Sequence, residues 1–260
     1  MIRNILRVLV LAVMAGGLLA CVTQEGRVFT AEASPEEALK TRVQLARSYI
    51  GEQNWEDAKR NLKIAQDIDP DNPEVHEAFA LVYQSTGEYE LAEESFRKAI
   101  SLQRPFSRAR NNYAAFLYSQ GRYREAEAQL EVVVKDTLYE SRTQAFINLG
   151  LCRLRLEEQD GARQAFTRAL AMDRTNRIAL LELASIEFER RNWLAAERHL
   201  ATYRVVTRRQ SARALWLGIR LAHELQNADA QASYALALRN LYPKSAEYQA
   251  YERALQSGEL

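Results

Sequence analysis

The side chains able to do chemistry are few and far apart. Cys21 and Cys152 are the two thiols of the 260-residue chain. His76, His199 and His223 are the three histidines, and none stands in a ligand spacing such as His-Glu-x-x-His, which places two imidazoles on one helix face. There is no Gly-x-Ser-x-Gly elbow, no phosphate-cradling P-loop and no Gly-x-Gly-x-x-Gly turn. Carboxylates are plentiful, but they fall at helical surface spacing, so any pair of them is uninformative. This inventory points away from an enzyme, a bound metal or cofactor, and a small-molecule substrate. Cys21 stands apart from the other reactive side chains, directly behind the small residue Ala20 near the N-terminus.

The elements that position Cys21 are those of an export signal. Arg3 and Arg7 form a basic start, and Val8 to Leu19 is an apolar run. That run is shorter than the roughly 20 apolar residues needed to span a bilayer. Residues 1–20 therefore read as a secretory signal peptide, excluded from the fold. Leu18-Leu19-Ala20-Cys21 resembles a bacterial lipobox, although Leu19 is larger than the residue usual there. The resemblance implies a diacylglyceryl group on the Cys21 thiol and, after cleavage, an N-acyl chain on its new amino group. Several acyl chains, at about 0.8 kcal/mol per buried CH₂, make a durable anchor. Val22 stands where an Asp usually marks retention in the inner membrane, which implies the outer membrane. With Cys21 acylated, Cys152 has no partner for a disulfide. Residues 21–35 form the lipidated N-terminus and tether, and Ser34-Pro35-Glu36-Glu37 is a helix start.

The remainder has the composition of a helical body. Gly and Pro number only 10 and 5. Beyond the first 20 residues there are 33 basic and 34 acidic side chains, a net of −1, which gives no support for nucleic-acid binding. The charge is uneven along the chain. Residues 32–94 hold 15 acids and 6 bases, a net of −9, whereas residues 174–220 hold 10 Arg and 4 acids, a net of +6. Such asymmetry either orients the molecule toward a partner or surface, or reflects solvated faces that differ by chance. The Arg204, Arg208, Arg209 and Arg213 group suits phosphate or lipid headgroups, or else is a solvated helix end.

Small residues recur with one period. Ala58, Ala92 and Ala126 are 34 apart, as are Ala162, Ala196 and Ala230, with a single step of 36 between the sets. A second register agrees: Ala46, Ala80, Ala114, Gly150, Ala184 and Gly218, each preceded by a large side chain. Four residues after each member of the first set comes Leu62, Phe96, Leu130, Phe166, Leu200 or Tyr234. This period resembles the tetratricopeptide repeat. In such a repeat two antiparallel helices cross at the small residues, and the large ones fill the gap between neighbouring repeats. The predicted fold is all-α, a right-handed solenoid over residues 36–257. Its six repeats span about 39–72, 73–106, 107–142, 143–176, 177–210 and 211–244, and a capping helix spans 245–257.

In that repeat family ligands lie in the groove lined by the first helix of each pair. Carried over by repeat position, the groove candidates are Val43, Arg47 and Ile50 in the first repeat and Asn111, Ala115 and Tyr118 in the third. In the fourth and fifth they are Ile147, Leu151, Leu154, Ile178, Leu181 and Phe188. A groove this apolar suits an amphipathic helix or an extended hydrophobic segment, while a tight superhelix would bury the same side chains as core.

Several stretches that the repeat does not dictate narrow the resemblance. Asn111-Asn112-Tyr113 with Phe116-Leu117-Tyr118, Asp136-Thr137-Leu138-Tyr139, Leu217 to Ala222, and Leu241-Tyr242-Pro243 with Glu247-Tyr248-Gln249 resemble the PilF/PilW family of type IV pilus biogenesis lipoproteins. That resemblance implies a pilotin: a protein on the periplasmic face of the outer membrane that binds subunits of the pilus secretin and promotes their localisation and multimer assembly. The alternative is a periplasmic lipoprotein scaffold for cell-wall enzymes or for outer-membrane protein assembly.

Overall fold

The computed structural model describes residues 34–260; the signal, Cys21 and the tether up to residue 33 lie outside the described residues, and the helix begins at Pro35 rather than after it. Helix α1 (Pro35–Gly51) opens with a capping box. The Ser34 hydroxyl accepts from the Glu37 amide at 3.2 Å, and the Glu37 carboxylate accepts from the Ser34 amide at 3.1 Å. Twelve further helices follow: α2 (Trp55–Ile68), α3 (Pro73–Thr86), α4 (Tyr89–Leu102), α5 (Ser107–Ser119), α6 (Tyr123–Val133), α7 (Arg142–Arg155), α8 (Gln159–Met172), α9 (Arg177–Glu189), α10 (Trp193–Val206), α11 (Ala212–Glu224), α12 (Ala228–Leu241) and α13 (Ala246–Ser257). No strand occurs among the described residues. No described helix is long and apolar enough to cross a membrane.

The helices pack as six hairpins, α1 with α2 through α11 with α12, closed by α13. Each within-pair turn places one residue in the left-handed region: Gln53, Gly87, Gly121, Glu157, Arg191 and Gln226. Gly87 and Gly121 adopt it without steric cost. Short turns between antiparallel helices put all within-pair turns along one edge of the solenoid and all between-pair turns along the other. First helices of successive pairs also pack on one another everywhere except between the fourth and fifth hairpins, while the second helices make no comparable contact. The first helices therefore line the inner, concave side.

The repeating residues are the core. Ala58, Ala92, Ala126, Ala162 and Ala196 are fully buried, as are Leu62, Phe96, Leu130, Phe166 and Leu200. Phe79 packs into the cluster of the first hairpin, Tyr113 into that of the second, and Leu217 into that of the fifth. The equivalent Leu45 is 40% exposed, because no described hairpin precedes it. At the far end α13 lays Tyr248 and Tyr251 over the sixth hairpin, with Tyr251 edge-on to Trp216 at 6.3 Å.

Candidate protein-binding face

The concave face begins with a carboxylate. Glu77 on α3 has a side chain with 0% exposure, and Arg47 on α1 donates to it at 2.5 Å. Asn112 on α5 donates to its other oxygen at 2.6 Å. Arg108 lies 3.6 Å from Glu77 and 3.3 Å from Glu74. Those distances are ion pairs rather than good hydrogen bonds, and Nε and Nη2 of Arg108 are buried with no hydrogen-bond partner among the described residues. One buried charge thus ties three successive first helices together. Its removal would leave two guanidiniums facing each other across the groove.

Further along, Asn148 on α7 donates to Asn111 on α5 at 3.1 Å. Tyr118 meets Tyr123 edge-on at 5.1 Å, and Arg155 stacks over Tyr123 while donating to its hydroxyl at 2.6 Å. Burial raises the Tyr118 phenol above its ordinary pKa, so the ring stays neutral. Beyond it, a groove of about 530 Å³ is lined by Ile178, Leu181, Glu182, Tyr203, Arg177 and Arg209, among others. Arg213 grips Glu182 with two hydrogen bonds, of 2.5 and 2.8 Å, which holds α11 against α9 at the groove wall.

The structure divides the residues expected in the groove. Arg47, Ile50, Tyr118, Leu151, Leu154 and Leu181 are partly exposed, and Ala115 and Ile178 are open to solvent. Val43, Asn111, Ile147 and Phe188 are buried, and these four are corrected from groove to core. Val43 and Ile147 sit in apolar clusters shared by their own hairpin and the first helix of the next. The Phe188 ring is enclosed by Trp193 at 4.9 Å and the Arg220 guanidinium at 4.5 Å. Asn111 is spent on Asn148.

The sequence reading passed over Glu77, although a signal was present. Glu77 occupies the repeat position held by Val43, Asn111, Ile147, Leu181 and Leu215, so a charge interrupts a mostly apolar column. It also passed over Glu93 on α4. That carboxylate accepts from Arg122 at 2.6 Å, from Arg97 at 2.7 Å and from Tyr113 at 2.8 Å. The Arg122 hydrogen bonds, with smaller help from Arg97 and Tyr113, hold its pKa down at about 2. Glu93 locks the second hairpin to the third on the side away from the groove. Among the described residues, no cluster of His, Cys, Asp and Glu suits a metal ion.

The tetratricopeptide repeat pattern matches residues 43–114, 78–140 and 117–177. The type IV pilus assembly protein PilF of Pseudomonas aeruginosa is 37% identical over 240 residues, covering 92% of this chain and 95% of that protein. A solved structure of Pseudomonas aeruginosa PilF superposes with a TM-score of 0.79 over 84% of this chain and 98% of that one. A solved structure of PilW, a widely conserved type IV pilus biogenesis factor, superposes with a TM-score of 0.70 at 27% identity, over 83% and 98% of the two chains. The tetratricopeptide fold is a scaffold for protein contacts and carries no catalytic machinery of its own. The chain belongs to the PilF/PilW family of type IV pilus assembly proteins, non-enzymatic tetratricopeptide-repeat scaffolds.

Proposed function

We propose that this chain is a pilotin of type IV pilus biogenesis: an outer-membrane lipoprotein, anchored through acylated Cys21, whose solenoid binds secretin subunits and promotes their multimer assembly. The observation that carries the proposal is the likeness to PilF over 92% of the chain, together with the lipobox before the first helix. No bond is made or broken in this function. The lipid supplies an address and the concave face supplies affinity. Ile178, Leu181, Leu151, Leu154 and Tyr118 offer apolar contact, and the buried Glu77 network keeps neighbouring first helices in register beneath it. A secretin segment that leaves its apolar side chains in this groove travels with the lipoprotein to the same membrane.

The test is fractionation joined to capture. Cys21→Ala should fold normally and leave the outer-membrane fraction; if it stays there, the anchor is wrong. Immobilised protein should retain secretin subunits from envelope extracts. Retention of cell-wall hydrolases or of the outer-membrane assembly machinery in their place would overturn the pilotin reading in favour of a periplasmic scaffold.

A further inference from the structure

The two edges of the solenoid differ in charge, and Arg177 and Arg209 of the basic edge also border the groove. From the third hairpin onward, the between-pair turns carry exposed cations with no ion-pair partner among the described residues. Arg104 precedes α5, and Lys135 follows α6. Arg174 and Arg177 flank the start of α9, Arg208 and Arg209 lie between α10 and α11, and Lys244 precedes α13. The acids on this stretch of edge are Asp136, Glu140, Asp173 and, in the first turn of α13, Glu247. Asp136 accepts from Ser107 at the start of α5, at 2.5 Å, and Asp173 accepts from Thr175 within its own turn, at 2.7 Å. The opposite edge leans acidic, with Glu52, Glu88, Glu157, Glu158 and Glu224 in or beside the within-pair turns, and of its cations Arg122 pairs with Glu93 and Arg190 with Asp160, which leaves Arg191.

The same basic edge also exposes apolar side chains. Leu138 is 91% exposed and Val205 86% exposed, the two most exposed large hydrophobic residues described. Leu138 sits in the turn where the repeat lengthens to 36, held outward by a hydrogen bond from its amide to Asp136 at 3.1 Å. Val205 lies in the last turn of α10, three residues before Arg208. Met172 and Leu241, at the ends of α8 and α12, are 45% and 46% exposed on the same edge. Cations beside protruding apolar side chains along an open edge, rather than in a cradle, match a bilayer interface. Guanidinium and ammonium groups pair there with headgroup phosphates while the apolar tips enter the acyl boundary.

The point of attachment agrees. Helix α1 starts at Pro35 on this edge, and Cys21 lies 14 residues upstream, a reach of at most about 50 Å. The first two between-pair positions are acidic, with Glu36, Glu37, Asp69, Asp71 and Glu74. An anionic surface repels that end and attracts the other. We propose that the between-pair edge from the third to the sixth hairpin is a docking surface for anionic phospholipid. It lays the solenoid along the bilayer and turns the acidic edge toward the periplasm. The orientation rests on the anchored reading above; the affinity of the edge for lipid does not.

The experiment uses a chain beginning at Val22, which lacks Cys21 and keeps the whole described core. Flotation is measured with vesicles of phosphatidylcholine alone and with about 30% phosphatidylglycerol, at low and high salt. The protein should float only with the phosphatidylglycerol vesicles and be released by salt. Reversing Arg174, Arg177, Arg208 and Arg209 to Glu should lower binding by about tenfold or more with helicity unchanged. Leu138→Ser with Val205→Ser should weaken binding and leave its salt dependence in place. Arg190→Glu with Arg191→Glu, on the opposite edge, should have no effect. Equal binding to neutral vesicles, full binding by the fourfold variant, or an equal loss from the opposite edge would overturn the proposal. Neither secretin nor lipidation enters this assay, so its failure is separate from a failure of the pilotin reading.

Discussion

Gly150 on α7 and Phe166 on α8 approach so closely that a Cβ on Gly150 would lie 2.6 Å from the Phe166 ring. Phe166 is fully buried, so the ring cannot swing away into solvent. Gly150→Ala should therefore cost about 1–3 kcal/mol through overpacking, measured by urea unfolding. Adding Phe166→Leu to it reproduces the Ala114 and Leu130 combination of the third hairpin and should return part of the loss. Unchanged stability in the single variant would contradict the packing account.

Glu77 should behave as a buried charge with two cationic partners. Glu77→Ala leaves Arg47 and Arg108 with only the more exposed Glu74, 3.7 and 3.3 Å away, and should destabilise by about 2–4 kcal/mol. Arg47→Ala in the same background should cost less than it does alone, because the pair is already broken. Strictly additive losses in that double-mutant cycle would show that the two side chains do not interact.

Glu93 predicts an acid-side dependence. Its folded pKa is about 2, below the ordinary glutamate value of 4.5, chiefly through the Arg122 hydrogen bonds. A depressed carboxylate stabilises the fold fully above the unfolded value. That contribution is lost as pH falls from about 4.5 toward 2. Glu93→Gln should remove this part of the slope between those limits and lower stability at neutral pH by about 1–2 kcal/mol. Melting temperatures across that range check it, and an unchanged slope would count against the assignment.

Cys152 should be inert. Its thiol is buried, and desolvation pushes its pKa up to about 12. At neutral pH the thiolate is scarce and the sulfur inaccessible. A thiol reagent should label the chain beginning at Val22 only after unfolding. Rapid labelling of the native protein would contradict both its burial and its lack of reactivity.

The periodicity carried most of the fold because each repeat reuses one packing solution. The Ala at each hairpin crossing and the large side chain four residues later recur wherever two helices must meet at close range. The groove was less legible for the same reason. Val43, Ile147 and Phe188 have the residue types of both a groove and a core, and only the turn of each helix against its partner separates them. Glu77 and Glu93 were missed because their partners lie in neighbouring hairpins, 30 and 29 residues away, and one acid among many shows nothing until those hairpins stack. The charge asymmetry was visible, but its sorting between two edges depends on which turns share an edge. That requires the hairpin topology.

The proposed role in secretin assembly is tested most directly by the amount of heat-stable secretin multimer in outer membranes with and without the gene. A pilotin requires that multimer disappear on deletion and return with the wild-type chain. The role predicts no return with Cys21→Ala, and reduced return with Leu181→Glu, which places a charge in the apolar groove. Multimer unchanged by the deletion would contradict it.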